Sequence, residues 1–117
     1  MSDKIKKGEE SEILAAEFLE QKGFQILERN FRYGHQEIDL IASCNNWLIF
    51  IEVKMRTSVK FGYPETFVDR TKRRNIRNAA RHYIFKRDWK GNARFDVISI
   101  TMIGPLPDVH HIEDAFY

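Results

Sequence analysis

The chain has 117 residues, of which 43% are hydrophobic and 31% are charged, and its formal net charge is only +2. This composition predicts one globular domain over residues 1–117 and excludes a disordered chain. No apolar run approaches the ~20 residues that span a bilayer, so we expect no membrane partner. The N-terminal segment is charged and lacks a signal region, and Cys44 is the only cysteine, which excludes an internal disulfide. Both features favour a reducing, cytoplasmic location.

Two helices and five strands are predicted in the order α-β-β-β-α-β, with a last short edge strand in addition. The first helix covers about 4–22, where Gly23 is a stop signal. The second begins near 64 or 69 and ends near 86, with apolar residues at helical spacing. A loop is predicted at 61–64. The predicted strands are 24–32, 37–42, 47–55, 94–101 and 109–112.

The order of these elements predicts an α/β fold with a mixed central sheet flanked by helices. A tight hairpin joins the second and third strands, and a helix then leads to the next strand. Because such β-α-β steps are nearly always right-handed crossovers, the third and fourth strands should be parallel neighbours. Acidic residues are concentrated in the first helix and basic residues at 70–87, so a local basic face is expected on a nearly neutral protein.

The hairpin at 37–54 contains charged residues within otherwise apolar strands. If Asn45-Asn46 forms a two-residue turn, the numbers of cross-strand partners sum to 91. Asp39 then lies opposite Glu52, and Glu37 lies opposite Lys54, all on one face of the sheet. Like charges that face each other destabilise a sheet, so a neutralising partner is needed. A three-residue turn would shift this register and move Asp39 out of line.

A divalent cation would neutralise the two carboxylates, since Mg²⁺ prefers oxygen ligands. Lys54 would then lie where it can reach a bound phosphate or the attacking water. These parts together predict a site for phosphodiester hydrolysis. The alternative is structural: Glu37–Lys54 and Glu52–Lys54 would be ion pairs on a solvated sheet face.

Asp39 followed by Glu52-Val53-Lys54 resembles the D…(D/E)-x-K signature of the restriction-endonuclease-like superfamily. More narrowly, nearly the whole chain resembles the YraN-type family of uncharacterised bacterial proteins. The resemblance to this family lies in the segments SEILAAEFLEQKGF, ERNFRYGHQEIDLIA, LIFIEVKMR, FGYPE, RFDVISI and HIEDAFY. The second helix, rich in Lys and Arg, resembles the family as well. Four positions depart from the usual pattern, with Ser11 for Gly, His35-Gln36 for Gly-Gly and Ile38 for Pro, and none removes a predicted ligand.

The resemblance implies a nuclease that uses Mg²⁺ or Mn²⁺ to cut structured or branched DNA. Asp39 and Glu52 would be metal ligands and Lys54 the transition-state stabiliser. Similarity to archaeal Holliday-junction resolvases assigns Glu12 to the metal or its water; an ordinary exposed acid at a helix start is the alternative. Resolvases of this kind act as dimers, which leaves a homodimer open.

The basic start of the second helix is the predicted contact with the DNA backbone, since clustered Lys and Arg suit phosphates. A solvated helix face is the alternative. The predicted contact residues are Arg56, Lys72, Arg73, Arg74 and Arg77.

Two other functions remain open: a nucleic-acid-binding module of the same fold without turnover, and a protein-interaction accessory domain. Asp96 interrupts an apolar strand, and an ion pair with an Arg of the second helix is expected there. His110 and His111 are adjacent on a strand and therefore unsuited to one metal ion.

Overall fold

The computed structural model describes residues 3–56, 70–102 and 104–116, with side chains from residue 9 onward except that of residue 56. Two helices flank one five-stranded sheet, which confirms the predicted α/β fold and element order. The predicted loop at 61–64 and the earlier part of the predicted second helix lie outside the described residues. The elements are α1 (Asp3–Gln21), β1 (Gln25–Tyr33), β2 (Gln36–Cys44), β3 (Trp47–Arg56), α2 (Arg70–Arg87), β4 (Asn92–Thr101) and β5 (Asp108–Phe116).

The strands lie in the sheet in the order in which they occur in the chain. Neighbouring strands are antiparallel except β3 and β4, which are parallel and joined through α2. The crossover predicted from the β-α-β step is therefore confirmed. None of the described helices combines the length and apolarity needed to cross a bilayer.

Each face of the sheet has its own apolar core, because successive strand side chains point to opposite faces. Leu48 and Phe50 contribute to the core beneath α2, whereas Ile49 and Ile51 contribute to the core beneath α1. Both cores include residues with almost no exposed surface. The helices contribute Ile76, Ala79, Ala80 and Tyr83 from α2, and Ala15, Ala16 and Leu19 from α1.

The hairpin between β2 and β3 has the predicted two-residue turn. Asn45 and Asn46 adopt left-handed conformations with φ of 50° and 68°, which asparagine tolerates better than most residues. Cys44 pairs with Trp47, and the same register continues to Leu40 and Ile51. The expected sum of 91 is therefore confirmed over this stretch.

The last strand is longer than predicted, and a buried carboxylate explains why. Asp96 of β4 has no exposed surface and accepts a hydrogen bond of 2.9 Å from the backbone N of Asp114. Asp114 has a φ of 52° beside an irregularity in the β4–β5 pairing. The carboxylate thus satisfies a backbone donor that the irregular ladder would leave unpaired, and β5 continues to Phe116.

The prediction that Asp96 pairs with an arginine of α2 is wrong. Its partners are Arg94, two residues earlier on the same strand, and His111 of β5. Lys22 donates to Nδ1 of His111 at 2.7 Å, so Nε2 carries the proton that is shared with Asp96 at 2.7 Å. Phe18 and Phe24 lie edge-on to this imidazole. The network therefore joins the end of α1 to β4 and β5.

Asp96→Ala should lower the free energy of unfolding by about 3 kcal/mol or more. The substitution leaves the mostly buried Arg94 and His111 side chains and the backbone N of Asp114 without their acceptor. Urea denaturation measures the change. Asp108→Ala is the matched control, because its pair with His110 is exposed and its loss should change stability by about 0.5 kcal/mol or less. Equal effects of the two substitutions would contradict this interpretation.

Candidate metal and catalytic site

The site is built around the point where pairing between β2 and β3 ends. The described backbone pairing ends at Leu40 and Ile51. Next to this end, Oδ2 of Asp39 accepts a hydrogen bond of 2.8 Å from the backbone N of Val53. A carboxylate therefore replaces the backbone acceptor that a continued ladder would supply. This arrangement fixes the Asp39 side chain at the junction of the two strands.

Two further carboxylates lie beside Asp39. One oxygen each from Glu12 of α1 and from Glu37 and Asp39 of β2 lie within 4.8 Å of one another. All three residues are partly buried. Asn30 of β1 has a φ of 54° and hydrogen-bonds the Glu12 side chain, which orients that carboxylate toward the sheet. Two elements, α1 and β2, thus supply the carboxylates of one acidic cluster, and β1 supplies the amide that hydrogen-bonds Glu12.

Two carboxylates of this cluster, Asp39 and Glu12, have raised pKa values in the absence of a cation. Burial raises the pKa of Asp39 to about 7, assisted by the negative charges of Glu52, Glu12 and Glu37 and opposed by the hydrogen bond from Val53. Burial also raises the pKa of Glu12, with smaller contributions from neighbouring carboxylates and an opposing one from Asn30. A bound cation would therefore lower both pKa values, because it would offset the negative charge of the neighbouring carboxylates.

Glu52 is held by two lysines. Its side chain is only 8% exposed, and Oε1 lies 2.6 Å from Nζ of Lys72 and 3.4 Å from Nζ of Lys54. Burial lowers the pKa of Lys54, as do the hydrogen bond and charge of Lys72, while Glu52 opposes the change. Although burial lowers the pKa of Lys72, its hydrogen bond to Glu52 and the charge of that carboxylate raise it overall. Lys54 is therefore the less basic of the two.

The model of the uncharacterised protein family UPF0102 matches residues 11–100 of this sequence. The chain belongs to the UPF0102 family. It is 48% identical over 97 residues to a UPF0102 protein of Cytophaga hutchinsonii, which covers 83% of this chain and 86% of the relative. Identity to a UPF0102 protein of Persephonella marina is 44% over 111 residues, with coverage of 94% and 92%. The resemblance to the YraN-type family is thereby confirmed.

Within the region that the UPF0102 model matches, the four predicted site residues are brought close to one another. Glu12 and Asp39 belong to the acidic cluster, and the charge of Glu52 acts on the pKa of both. Lys54 contacts Glu52 directly. The Glu52 carboxylate, however, contacts Lys54 and Lys72. The Glu52–Lys54 ion pair that was predicted as an alternative to a metal site is therefore present.

The predicted cross-strand pairing of Glu37 with Lys54 lies beyond the described β2–β3 ladder, which ends at Leu40 and Ile51. Oε2 of Glu37 lies 3.2 Å from a guanidinium nitrogen of Arg32, its partner on β1. Because the β2–β3 ladder ends at Leu40 and Ile51, the hairpin register no longer determines the partner of Glu37. Its carboxylate joins Glu12 and Asp39 instead.

Sequence analysis missed two contributors to the site. Glu37 could have been found as a third ligand, because alternation along a strand places it on the same face as Asp39. Asn30 had a weaker signal: asparagine is depleted in strands, so its place within β1 indicates a local irregularity. Neither signal specifies the contact with Glu12, which comes from another element.

The donor set of the acidic cluster suits a hard divalent cation. Carboxylate oxygens are ligands that Mg²⁺ prefers in proteins. The three carboxylate oxygens lie within 4.8 Å of one another, close enough to converge on one ion. Glu12, Glu37 and Asp39 could therefore hold Mg²⁺ or Mn²⁺, with Glu52 close by.

The predicted DNA contacts of this UPF0102 chain are distributed along the start of α2. Arg74 is exposed, whereas Arg73 and Arg77 are partly buried. Lys72 instead has its ammonium group on Glu52, within the site. Arg56 ends β3, and its side chain lies outside the described part of the chain. The described arginines therefore follow, within the first turns of α2, the lysine that contacts Glu52.

Proposed function

We propose that this protein is a cytoplasmic, metal-dependent nuclease that hydrolyses phosphodiester bonds in structured or branched DNA. The observation that supports it is the convergence of Glu12, Asp39, Glu52 and Lys54 where the β2–β3 ladder ends. Two carboxylates of raised pKa, Asp39 and Glu12, lie beside a partly buried lysine of lowered pKa, Lys54, and such groups suit metal-assisted phosphodiester hydrolysis.

Bound Mg²⁺ or Mn²⁺ would supply a Lewis acid for the phosphate and would lower the pKa of a bound water. Glu12, Glu37 and Asp39 would provide its oxygen ligands. In the proposed reaction a water oxygen bonds to phosphorus and releases a proton to solvent. The bond from phosphorus to the leaving sugar oxygen breaks, and that oxygen takes up a proton from solvent.

Lys54 and Lys72 have different parts in this proposal. Lys72 lies nearer Glu52 and keeps that carboxylate in place, at an N–O distance of 2.6 Å. Lys54 is 3.4 Å away and can turn its ammonium group from Glu52 to the phosphate. There it would stabilise the negative charge that develops on the phosphate oxygens as the water attacks. Lys54 is therefore the catalytic residue and Lys72 a positioning residue.

A non-catalytic nucleic-acid-binding module is the second candidate. It is favoured by the contact of Glu52 with two lysines, which neutralise its charge without a metal. In that case the carboxylates would have a structural role, and the arginines of α2 would bind the phosphate backbone. This candidate predicts binding that weakens with salt but no metal-dependent cleavage.

Calorimetric titration of Mn²⁺ into wild type and Asp39→Asn, with a four-way-junction cleavage assay on the same samples, distinguishes these candidates. We expect the wild type to bind Mn²⁺ and cleave, and Asp39→Asn to lose both, because an amide lacks the ligand charge. Asp108→Asn, which removes an exposed carboxylate elsewhere, should behave as wild type. Metal binding without cleavage would keep the metal site but overturn the nuclease assignment. A wild type that binds no metal would overturn the proposed site and support the module.

A further inference from the structure

Two exposed rings stack beside a cleft at the end of the β1–β2 hairpin. Tyr33 of β1 and His82 of α2 have ring centroids 4.4 Å apart and planes inclined by 20°. His82 is exposed and Tyr33 is 44% exposed. The stack therefore presents aromatic surface to solvent while each ring holds the other in place.

The adjoining cleft has a volume of about 330 Å³ and no acidic residue in its lining. The polar side-chain groups of its lining are three amides, an imidazole and a phenol hydroxyl, which offer both donors and acceptors. Nucleobase edges present the same mixture, and the flat faces of bases stack on aromatic rings. The cleft is lined by Tyr33, His35, Gln36, Asn75 and Asn78.

The cleft lies close to the acidic cluster. Gln36 precedes Asp39 by three residues on β2, a separation of about 10 Å along a strand. On α2, Asn75 follows Lys72 by three residues and so lies about one turn from the ammonium group that contacts Glu52. A nucleotide in the cleft would therefore be within a few nucleotides of a phosphate at the carboxylates.

The surroundings favour a polyanion over an apolar partner. Arg74 and Arg81 are exposed on α2, before and after the Asn78 that lines the cleft. Arginines beside a stacking platform suit a nucleic-acid strand, whose phosphates pair with guanidinium groups while its bases stack. In a continuous duplex the base faces are covered by their neighbours, so only an unpaired base can occupy such a platform.

We propose that the Tyr33–His82 stack and its cleft bind an unpaired nucleobase next to the phosphate that the acidic cluster acts on. This inference rests on the proposed nuclease function and defines its substrate class more narrowly. The substrate is DNA with unpaired nucleotides, such as a flap, a gap or an opened branch point, and a continuous duplex is a poor one.

Binding without divalent metal tests this inference separately from cleavage. In EDTA, fluorescence anisotropy compares a flapped DNA with a continuous duplex of equal length, and 2-aminopurine in the flap reports stacking by its quenching. We expect the full chain to quench 2-aminopurine. Tyr33→Ala should weaken flap binding about 5- to 100-fold, the range for loss of one base–aromatic stack. Duplex binding should change less than about twofold, since it depends on phosphate contacts.

Two variants provide the controls. Tyr33→Phe keeps the ring and should bind the flap as wild type does. Phe85→Ala removes a ring that is 85% exposed but does not line the cleft, and it should also bind normally. Equal losses in Tyr33→Ala and Phe85→Ala, or equal effects of Tyr33→Ala on flap and duplex, would overturn the inference. If either of these results were found and the protein still cleaved DNA, only the base-binding inference would fail and the nuclease proposal would stand. If stacking depended on Tyr33 but no cleavage occurred, the nuclease proposal would fail and the base-binding site would stand.

Discussion

Lys54→Ala should reduce DNA cleavage by about 10²- to 10³-fold or more while metal and DNA binding persist. The ammonium group is expected to stabilise charge that develops only as the water attacks the phosphate, so its loss affects the chemical step. The carboxylates of Glu12, Glu37 and Asp39 are unchanged by the substitution. Glu52 keeps its shorter contact with Lys72, so the site should remain folded.

Single-turnover cleavage and calorimetric Mn²⁺ titration on the same protein measure the two parts of this expectation. Lys90→Ala is the control, because it removes a lysine that is 82% exposed and pairs only with Asp88 among the described ion pairs. It should leave cleavage unchanged. A Lys54→Ala protein that cleaves at the wild-type rate would disprove the catalytic assignment. A variant that loses both cleavage and metal binding would show that Lys54 has a structural role.

Without metal, Asp39→Asn should make the protein more stable at pH 8 than the wild type, by up to about 4 kcal/mol. The pKa of Asp39 is about 7 in the folded protein against 3.8 in the unfolded chain. Between these values the folded state binds more protons, so the contribution of Asp39 to stability falls as the pH rises. Asparagine resembles the protonated carboxyl and cannot ionise. Near pH 4 the two proteins should therefore differ little.

Urea denaturation of both proteins from pH 4 to pH 8 in EDTA measures this difference. Excess Mn²⁺ should raise the stability of the wild type at pH 8 and have little effect on Asp39→Asn, because ligand binding stabilises the state that binds it. Parallel pH profiles of the two proteins would refute the raised pKa. A wild type that is stabilised by Mn²⁺ no more than the variant would refute the metal site.

Several features of this protein followed from local sequence. The turn at Asn45-Asn46 was predictable because asparagine tolerates the left-handed conformation that a two-residue hairpin needs. That turn fixed the register as far as Leu40 and Ile51, and the next residues, Asp39 and Glu52, lie near each other. The parallel pairing of β3 and β4 followed from the intervening helix and the handedness of crossovers.

Other contacts depended on tertiary structure, because they join residues that no periodicity relates. Lys72 reaches Glu52 across the crossover, and Tyr33 meets His82 only because α2 lies over the first hairpin. Asp96 binds His111 where the β4–β5 ladder is irregular, and Glu37 joins Glu12 where the β2–β3 ladder ends. Periodicity predicts partners only while a ladder is regular. Beyond its ends, the packing of distant elements decides which charges meet.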